Sequence, residues 1–204
     1  MIRHGRTSWN DVHRFQGRSD IPLNDAGFVQ AQKTALRLAK WPLGAIYTSP
    51  LTRARQTALT IAAPHQKEPI VLDELIETDF GAWEGLNFEE IEKNYPDKIR
   101  AWLRDPFFHA PERAETWDSI RVRVLRVLEI IFRADDTHIA VVAHGGIIRA
   151  LFALLLDFDP HSVWNIQALN CALNGVEIRS EQASLVFSND DLHLKCGDAV
   201  LPVW

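Results

Sequence analysis

The sequence predicts an α/β domain: a three-layer sandwich with a mostly parallel central sheet, helices on both faces and a helical lid insertion. Two observations lead there. Short apolar or β-branched runs alternate along the chain with stretches of helical periodicity. Glycines and helix caps stand where the runs end. With 204 residues, 47% of them hydrophobic and 24% charged, the chain has the makings of one sizeable core, so a single domain over 1–204 is expected.

The elements follow in order. A short first strand ends at Arg3-His4-Gly5. Asn24-Asp25 caps a helix to about Lys40, with Phe28, Ala31, Ala35, Leu36 and Leu38 at roughly helical spacing. Ala45 to Thr48 reads as a buried strand. Ser49 is then the expected cap, Pro50 the first helical residue, and Ala63 the approximate end. Ile70 to Leu72 is a further strand. Short helices between Phe88 and Phe108 are broken by Pro96 and Pro106, and the lid covers about 80–115. Thr116 to Arg133 is the longest helix, with Ile120, Val124, Val127, Ile130 and Ile131 as its apolar face. His138 to Ala143 is a strand, followed by a glycine pair and an apolar helix to about Leu156. Cys171 to Ile178 and Ser184 to Phe187 close the sheet, with Asn174-Gly175 as a turn signal between or within them.

The net charge of −5, without any Lys/Arg block, argues against a nucleic-acid surface, while a local pocket can still take a small anion. Cys171 and Cys196 lack CxxC spacing and read as reduced thiols. The sequence shows neither a leader pattern nor a run of apolar residues long enough to span a bilayer, so a cytoplasmic protein without membrane attachment is expected. Aromatic content is compatible with a homodimer.

In open α/β sheets, ligands bind beyond the carboxyl ends of the strands. His4, the Ser49–Arg53 stretch and His144 all fall at such ends. Two histidines and two arginines converging there suit a phosphoryl group, because guanidinium holds phosphate oxygens bidentately. His4 is the candidate nucleophile, since neutral imidazole carries a free lone pair. Arg3 pairs with phosphate oxygens. Arg53 sits one turn into a helix, where anions are favoured. His144 donates to the phosphate, and Gly145 adds a backbone N–H. Glu77 is the candidate acid, placed before an aromatic stretch that shields it, with Glu84 and Asp79 as alternates. Arg6 and Arg55 read as solvated. The sequence contains no HxxxH, HExxH, GxxxxGK[ST] or GxGxxG pattern, so neither a metal site nor a nucleotide cradle of those kinds is indicated.

Taken together, these residues resemble the histidine phosphatase superfamily, also called phosphoglycerate mutase-like. The likeness runs through Arg3-His4-Gly5-Arg6-Thr7-Ser8-Trp9-Asn10, Phe15-Gln16-Gly17, Thr48 to Ala58, Glu77 to Gly85 and Val142 to Gly146. These motifs, in family order, extend over most of the chain. The resemblance implies a transient phosphohistidine at His4, with Arg3, Arg53 and His144 lining the phosphate pocket. It also implies Glu77 as proton donor, Asn10 close to the phosphate, and Gln16 and Gly17 near the pocket mouth. No metal and no organic cofactor is implied. Two departures stand out. Only Met1 and Ile2 precede the motif, which leads to the expectation that the natural start lies upstream or the chain is shortened. Position 6 is Arg where many members carry Glu.

The compact length and the Asp79-Phe80-Gly81-Ala82-Trp83-Glu84-Gly85 segment look like the phosphatase branch. The expected activity is metal-independent hydrolysis of a small phosphorylated metabolite, releasing inorganic phosphate. The alternatives are mutase-type phosphoryl transfer, dependent on a bisphosphorylated primer, and a phosphate-binding protein without turnover. Trp83, Trp102, Phe107, Phe108 and Trp117 are candidates for an apolar substrate wall, or else for packing between lid and core.

Overall fold

The computed structural model describes residues 1–179 and 182–195. The strands are β1 (Ile2–Arg3), β2 (Ala45–Thr48), β3 (Ile70–Val71), β4 (Ile139–Ala143), β5 (Leu173–Arg179) and β6 (Gln182–Asp190). The helices are α1 (Ser8–Asp11), α2 (Asp25–Leu38), α3 (Thr52–Ala62), α4 (Phe88–Asn94), α5 (Pro96–Arg104), α6 (Trp117–Arg133), α7 (Gly145–Leu155) and α8 (Leu192–Lys195). The sheet order is β3-β2-β4-β1-β5-β6, with the first four strands parallel and the last two joined antiparallel.

Period-two alternation divides the core between the two faces of this sheet. Ala45, Tyr47, Val141 and Ala143 pack with Val124, Val127, Ile147 and Leu151 of α6 and α7. Ile2, Ile46, Ala140 and Val142 pack with Ala35, Leu38, Ala54 and Ile61 of α2 and α3. Thus the central strands β2 and β4 are buried on both sides, as parallel strands covered by helices are, while the edge strands β3 and β6 are largely exposed. Among the described residues, no helix is long and apolar enough to cross a membrane.

Several sequence expectations need correction. Ser49 does not cap α3: Leu51 occupies the N-cap position without a side-chain bond, and the helix begins at Thr52. The first turn is held instead by Asp20, whose carboxylate accepts from the Thr52 amide and hydroxyl, both at 2.7 Å. Asn174-Gly175 is no turn; it lies inside β5 at a shift of register with β6. Ile130 of α6 and Phe28 and Leu36 of α2 face solvent, because an amphipathic helix buries only a stripe. In the lid, Trp83 is fully buried and packs with Phe15, Phe80, Tyr95 and Trp102, while Phe107 stacks against Trp117 at 4.6 Å. These rings spend their surface on one another and on the core, and Phe108 is exposed. Cys196 lies outside the described residues; Cys171 is a buried free thiol whose pKa burial pushes up to about 12.

The first turn of α2 crosses directly over the segment that follows β1. Asn24 caps α2 by accepting from the Gly27 amide at 2.8 Å, and its own amide donates to the Arg6 carbonyl at 3.0 Å. A Cβ on Gly27 would stand 2.1 Å from the Arg6 carbonyl oxygen and 2.8 Å from its nitrogen. Alanine would favour the helix by about 1 kcal/mol, but the collision is with backbone that cannot turn aside. Gly27→Ala is therefore expected to cost a net 1–3 kcal/mol or so, lowering the melting temperature by roughly 3–10 °C. A thermal melt checks this; an unchanged or higher midpoint would show that the two backbones separate freely.

Candidate active site

The register of the central strands places the site. Ile2 pairs with Val142 and Arg3 with Ala143, so His4 and His144 follow side by side at the ends of adjacent parallel strands. The His4 amide donates to the Ala143 carbonyl at 3.0 Å, and the ring centroids lie 5.1 Å apart. Ser49 follows β2 on the other side of β4, its amide bonded to the Val142 carbonyl at 3.1 Å. Three neighbouring strand ends thus bring the three segments together.

A hydrogen bond to a carbonyl fixes the tautomer of His4, and a hydroxyl faces the ring of His144. His4 Nδ1 lies 2.7 Å from the Gly5 carbonyl oxygen, which only accepts, so Nδ1 carries the proton and Nε2 the lone pair. Among the described residues Nε2 has no bonding partner. His144 Nε2 lies 2.7 Å from Ser49 Oγ, and that oxygen accepts from the Leu51 amide at 3.3 Å. The Ser49 hydroxyl can donate to Nε2, and in that arrangement the His144 proton sits on Nδ1. Nδ1 is buried without a partner. Burial, then the Arg53 charge, then others including Arg3 hold both imidazoles well below the usual histidine range.

Both arginines are anchored by backbone carbonyls and not by carboxylates. Arg3 donates from one terminal nitrogen to the Ala168 carbonyl at 2.7 Å. Arg53, fully buried, donates to the Gly17 and Ser19 carbonyls, each at 2.7 Å. The Nε of each guanidinium is buried without a partner. Burial lowers the pKa of Arg53 to about 10 and also lowers that of Arg3. Arg6 and Arg55 face solvent, and Arg6 pairs with Asp11.

Glu77 is buried at the edge of this cluster. It accepts from the Thr78 amide at 2.8 Å and from the Gly146 amide at 3.3 Å, in the first turn of α7. Gly145 opens α7, so its N–H has no acceptor within the helix. Arg123 grips the segment ahead of the acid, donating to the Glu74 and Ile76 carbonyls at 2.7 and 2.6 Å while paired with Glu115. The two alternates are otherwise engaged. Asp79 accepts from the Gly81 amide at 2.7 Å, and Glu84 takes donors on both oxygens.

Asn10 Oδ1 accepts from the Thr7 amide at 3.1 Å in a capping box, and Asn170 Nδ2 stands 3.4 Å from it. Gln16 is buried, with Oε1 3.0 Å from the Thr7 hydroxyl, and Gly17 is buried beneath Arg53. Sequence reasoning missed Asn170, which donates to the His4 carbonyl at 2.8 Å, and Thr57, whose hydroxyl accepts from the Gly5 amide at 3.0 Å. It also missed Ser49 as the partner of His144. Ser49 was legible as a polar residue at a strand end; nothing local marks the other two. Among the described residues, no group of three or more His, Cys, Asp or Glu side chains could hold a metal ion.

The arrangement matches known proteins along most of its length. Phosphoserine phosphatase 1 of Hydrogenobacter thermophilus is 32% identical over 195 residues, covering 95% of this chain and 92% of that protein. The metal-independent phosphoserine phosphatase of Arabidopsis thaliana is 31% identical over 199 residues, covering 95% and 82%. The structure of a mycobacterial glucosyl-3-phosphoglycerate phosphatase in complex with VO3 superposes with a TM-score of 0.87 at 30% identity, covering 94% of this chain and 98% of that one. The model of the histidine phosphatase superfamily (branch 1) matches residues 1–191, and the chain belongs to that superfamily.

Proposed function

We propose that the protein is a phosphomonoester hydrolase that forms a phosphohistidine at His4 Nε2 and acts on a small phosphorylated metabolite. The observation that carries this reading is the group of buried donors without partners, Arg3 Nε, Arg53 Nε and His144 Nδ1, beside a histidine with its lone pair free. Each orphaned donor costs about 1–3 kcal/mol, and a phosphoryl group supplies the acceptors. Phosphatases recur among the relatives, which supports hydrolysis over phosphoryl exchange. Guanidinium and imidazole donors supply the charge stabilisation that a cation would otherwise provide, and the metal-independent relative agrees with this.

The reaction divides into two in-line displacements. In the first, the Nε2 lone pair of His4 attacks phosphorus and the bond to the ester oxygen breaks. Glu77 gives its proton to that oxygen, so a neutral alcohol leaves. In the second, water attacks phosphorus as Glu77 takes its proton. The P–N bond breaks, and inorganic phosphate and the starting imidazole are restored. Arg3, Arg53 and His144 Nδ1 hold the equatorial oxygens, where charge spreads in the transition state. Gly145 N–H and the Asn10 amide complete the cradle, and the loop carrying Gln16 and Gly17 borders it.

The first panel takes phosphoserine and a phosphoglycerate-derived ester, after the names of the relatives, with p-nitrophenyl phosphate as a generic ester, assayed with chelator present. Release of phosphate is expected from wild type and not from His4→Ala, whose circular dichroism should remain close to wild type; full activity in that variant would exclude His4 as nucleophile. Glu77→Gln is expected to slow alkyl phosphates at least tenfold more than p-nitrophenyl phosphate, since nitrophenolate leaves with little help from an acid. Equal losses on both would remove Glu77 from that role.

The histidine environment gives a third test. A lowered pKa means that the proton is lost at lower pH than usual, so both imidazoles remain neutral as pH falls from 7 through 6.5. Imidazole proton resonances assigned by comparison with His4→Gln and His144→Gln should not titrate in that interval in phosphate-free buffer. Midpoints near 6.5 for both would contradict the buried, positively charged pocket.

A further inference from the structure

We propose that Glu84 is a positioning residue for the phosphate site: it shapes the 17–19 loop that holds Arg53, and so links the acid-bearing segment to the phosphate-binding guanidinium. The inference rests on the phosphohydrolase reading above. Glu84 stands seven positions beyond Glu77 in the same segment and closes the short turn at Gly81–Trp83. Its carboxylate accepts four hydrogen bonds. Oε1 takes the Arg18 amide at 2.8 Å and the Phe80 amide at 3.3 Å. Oε2 takes the Ser19 amide at 3.0 Å and the Ser19 hydroxyl at 2.8 Å.

Those bonds turn the loop so that its carbonyls serve another group. The amides of 18 and 19 go to Glu84, while the carbonyls of 17 and 19 go to the two terminal nitrogens of Arg53. Gly17 allows it, at φ +50°: a Cβ there would lie 1.9 Å from Glu84 Oε1. An anion held by two consecutive amides and a hydroxyl is a strong, directional anchor. Among the described residues these carbonyls are the hydrogen-bond partners that fix the plane of the Arg53 guanidinium, so its bidentate approach to phosphate depends on where the loop stands. Meanwhile Arg123 fixes the other end of the segment, at the Glu74 and Ile76 carbonyls. The acid and the arginine thus share one frame, and displacement of either by about 1 Å costs on the order of 10²-fold in rate.

The test is a double-mutant cycle with Glu84→Gln and Arg53→Ala, reading kcat/KM for p-nitrophenyl phosphate and the affinity for inorganic phosphate. Glutamine keeps the size of the side chain but offers one acceptor oxygen where the loop needs two. In the wild-type background, Glu84→Gln is expected to weaken phosphate binding at least tenfold. In the Arg53→Ala background, it should weaken it less than twofold, because the group it positions is gone. Equal factors in both backgrounds would overturn the proposal and make Glu84 a general support of the lid. So would unchanged phosphate affinity in Glu84→Gln alone. If the glutamine variant does not fold, Ser19→Ala, which removes one of the four bonds, runs the same cycle with an expected loss of about threefold and the same criterion. Should Arg53→Ala bind phosphate normally, the phosphate reading itself fails and this proposal falls with it, an outcome recognisable from that single variant.

Discussion

The site is organised around buried positive charge held without carboxylate partners. Arg3 and Arg53 are anchored by the carbonyls of Ala168, Gly17 and Ser19, dipoles that fix direction but do not cancel charge. A guanidinium paired with an acid would already be neutralised, and a phosphate would have to displace that acid. Carbonyl anchoring avoids the competition. Burial lowers the pKa of both arginines, and burial together with the arginine charges holds the histidines beside them well below the usual range. The same field that attracts a dianion keeps the His4 lone pair available. In the proposed reaction, anion binding and the nucleophilicity of His4 would share one electrostatic cause.

The sheet makes this tolerable by supplying rigid frames on every side. β4 sets the level of His4 and His144 through main-chain register, with no side chain needed to choose it. The start of α7 fixes the Glu77 side chain, since the Gly146 amide donates to its carboxyl group. The lid contributes through the segment between Leu75 and Glu84, pinned from one end by Arg123 and at the other by the 17–19 loop.

The sequence showed the parts of this that are local. Strand ends followed by glycine marked His4 and His144, and the periodic stretches located α2, α3, α6 and α7 within a few residues. Ser49 shows where local reading fails: serine before proline has the chemistry of a helix cap, yet the neighbouring strand end supplies a stronger claimant in the His144 ring. The cap passes to Asp20, thirty-two positions before Thr52. Glu84 fails differently. As one acid in a loop with several, it looks like an alternate proton donor, and only the loop folded against it reveals that both oxygens are occupied. Asn170 and Thr57 were silent because their partners are backbone atoms of His4 and Gly5, which no side-chain pattern announces. The lid aromatics were ambiguous between wall and core, since composition cannot tell which ring faces which.

The position of β1 has a consequence for the order in which the molecule is made. Its neighbours in the sheet are β4 and β5, so Arg3 and His4 are held by Ala143, Asn170 and Cys171, near the opposite end of the chain. During synthesis His4 emerges before the strands that frame it. Until β4 and β5 have left the ribosome, the Arg3-His4 segment has no sheet to join, and closing so long a loop carries its entropy cost before any contact repays it. β2 and α3 can meet α2 well before that. The pocket therefore waits on β4 and β5, and a nascent chain holds His4 unpaired until both have been made.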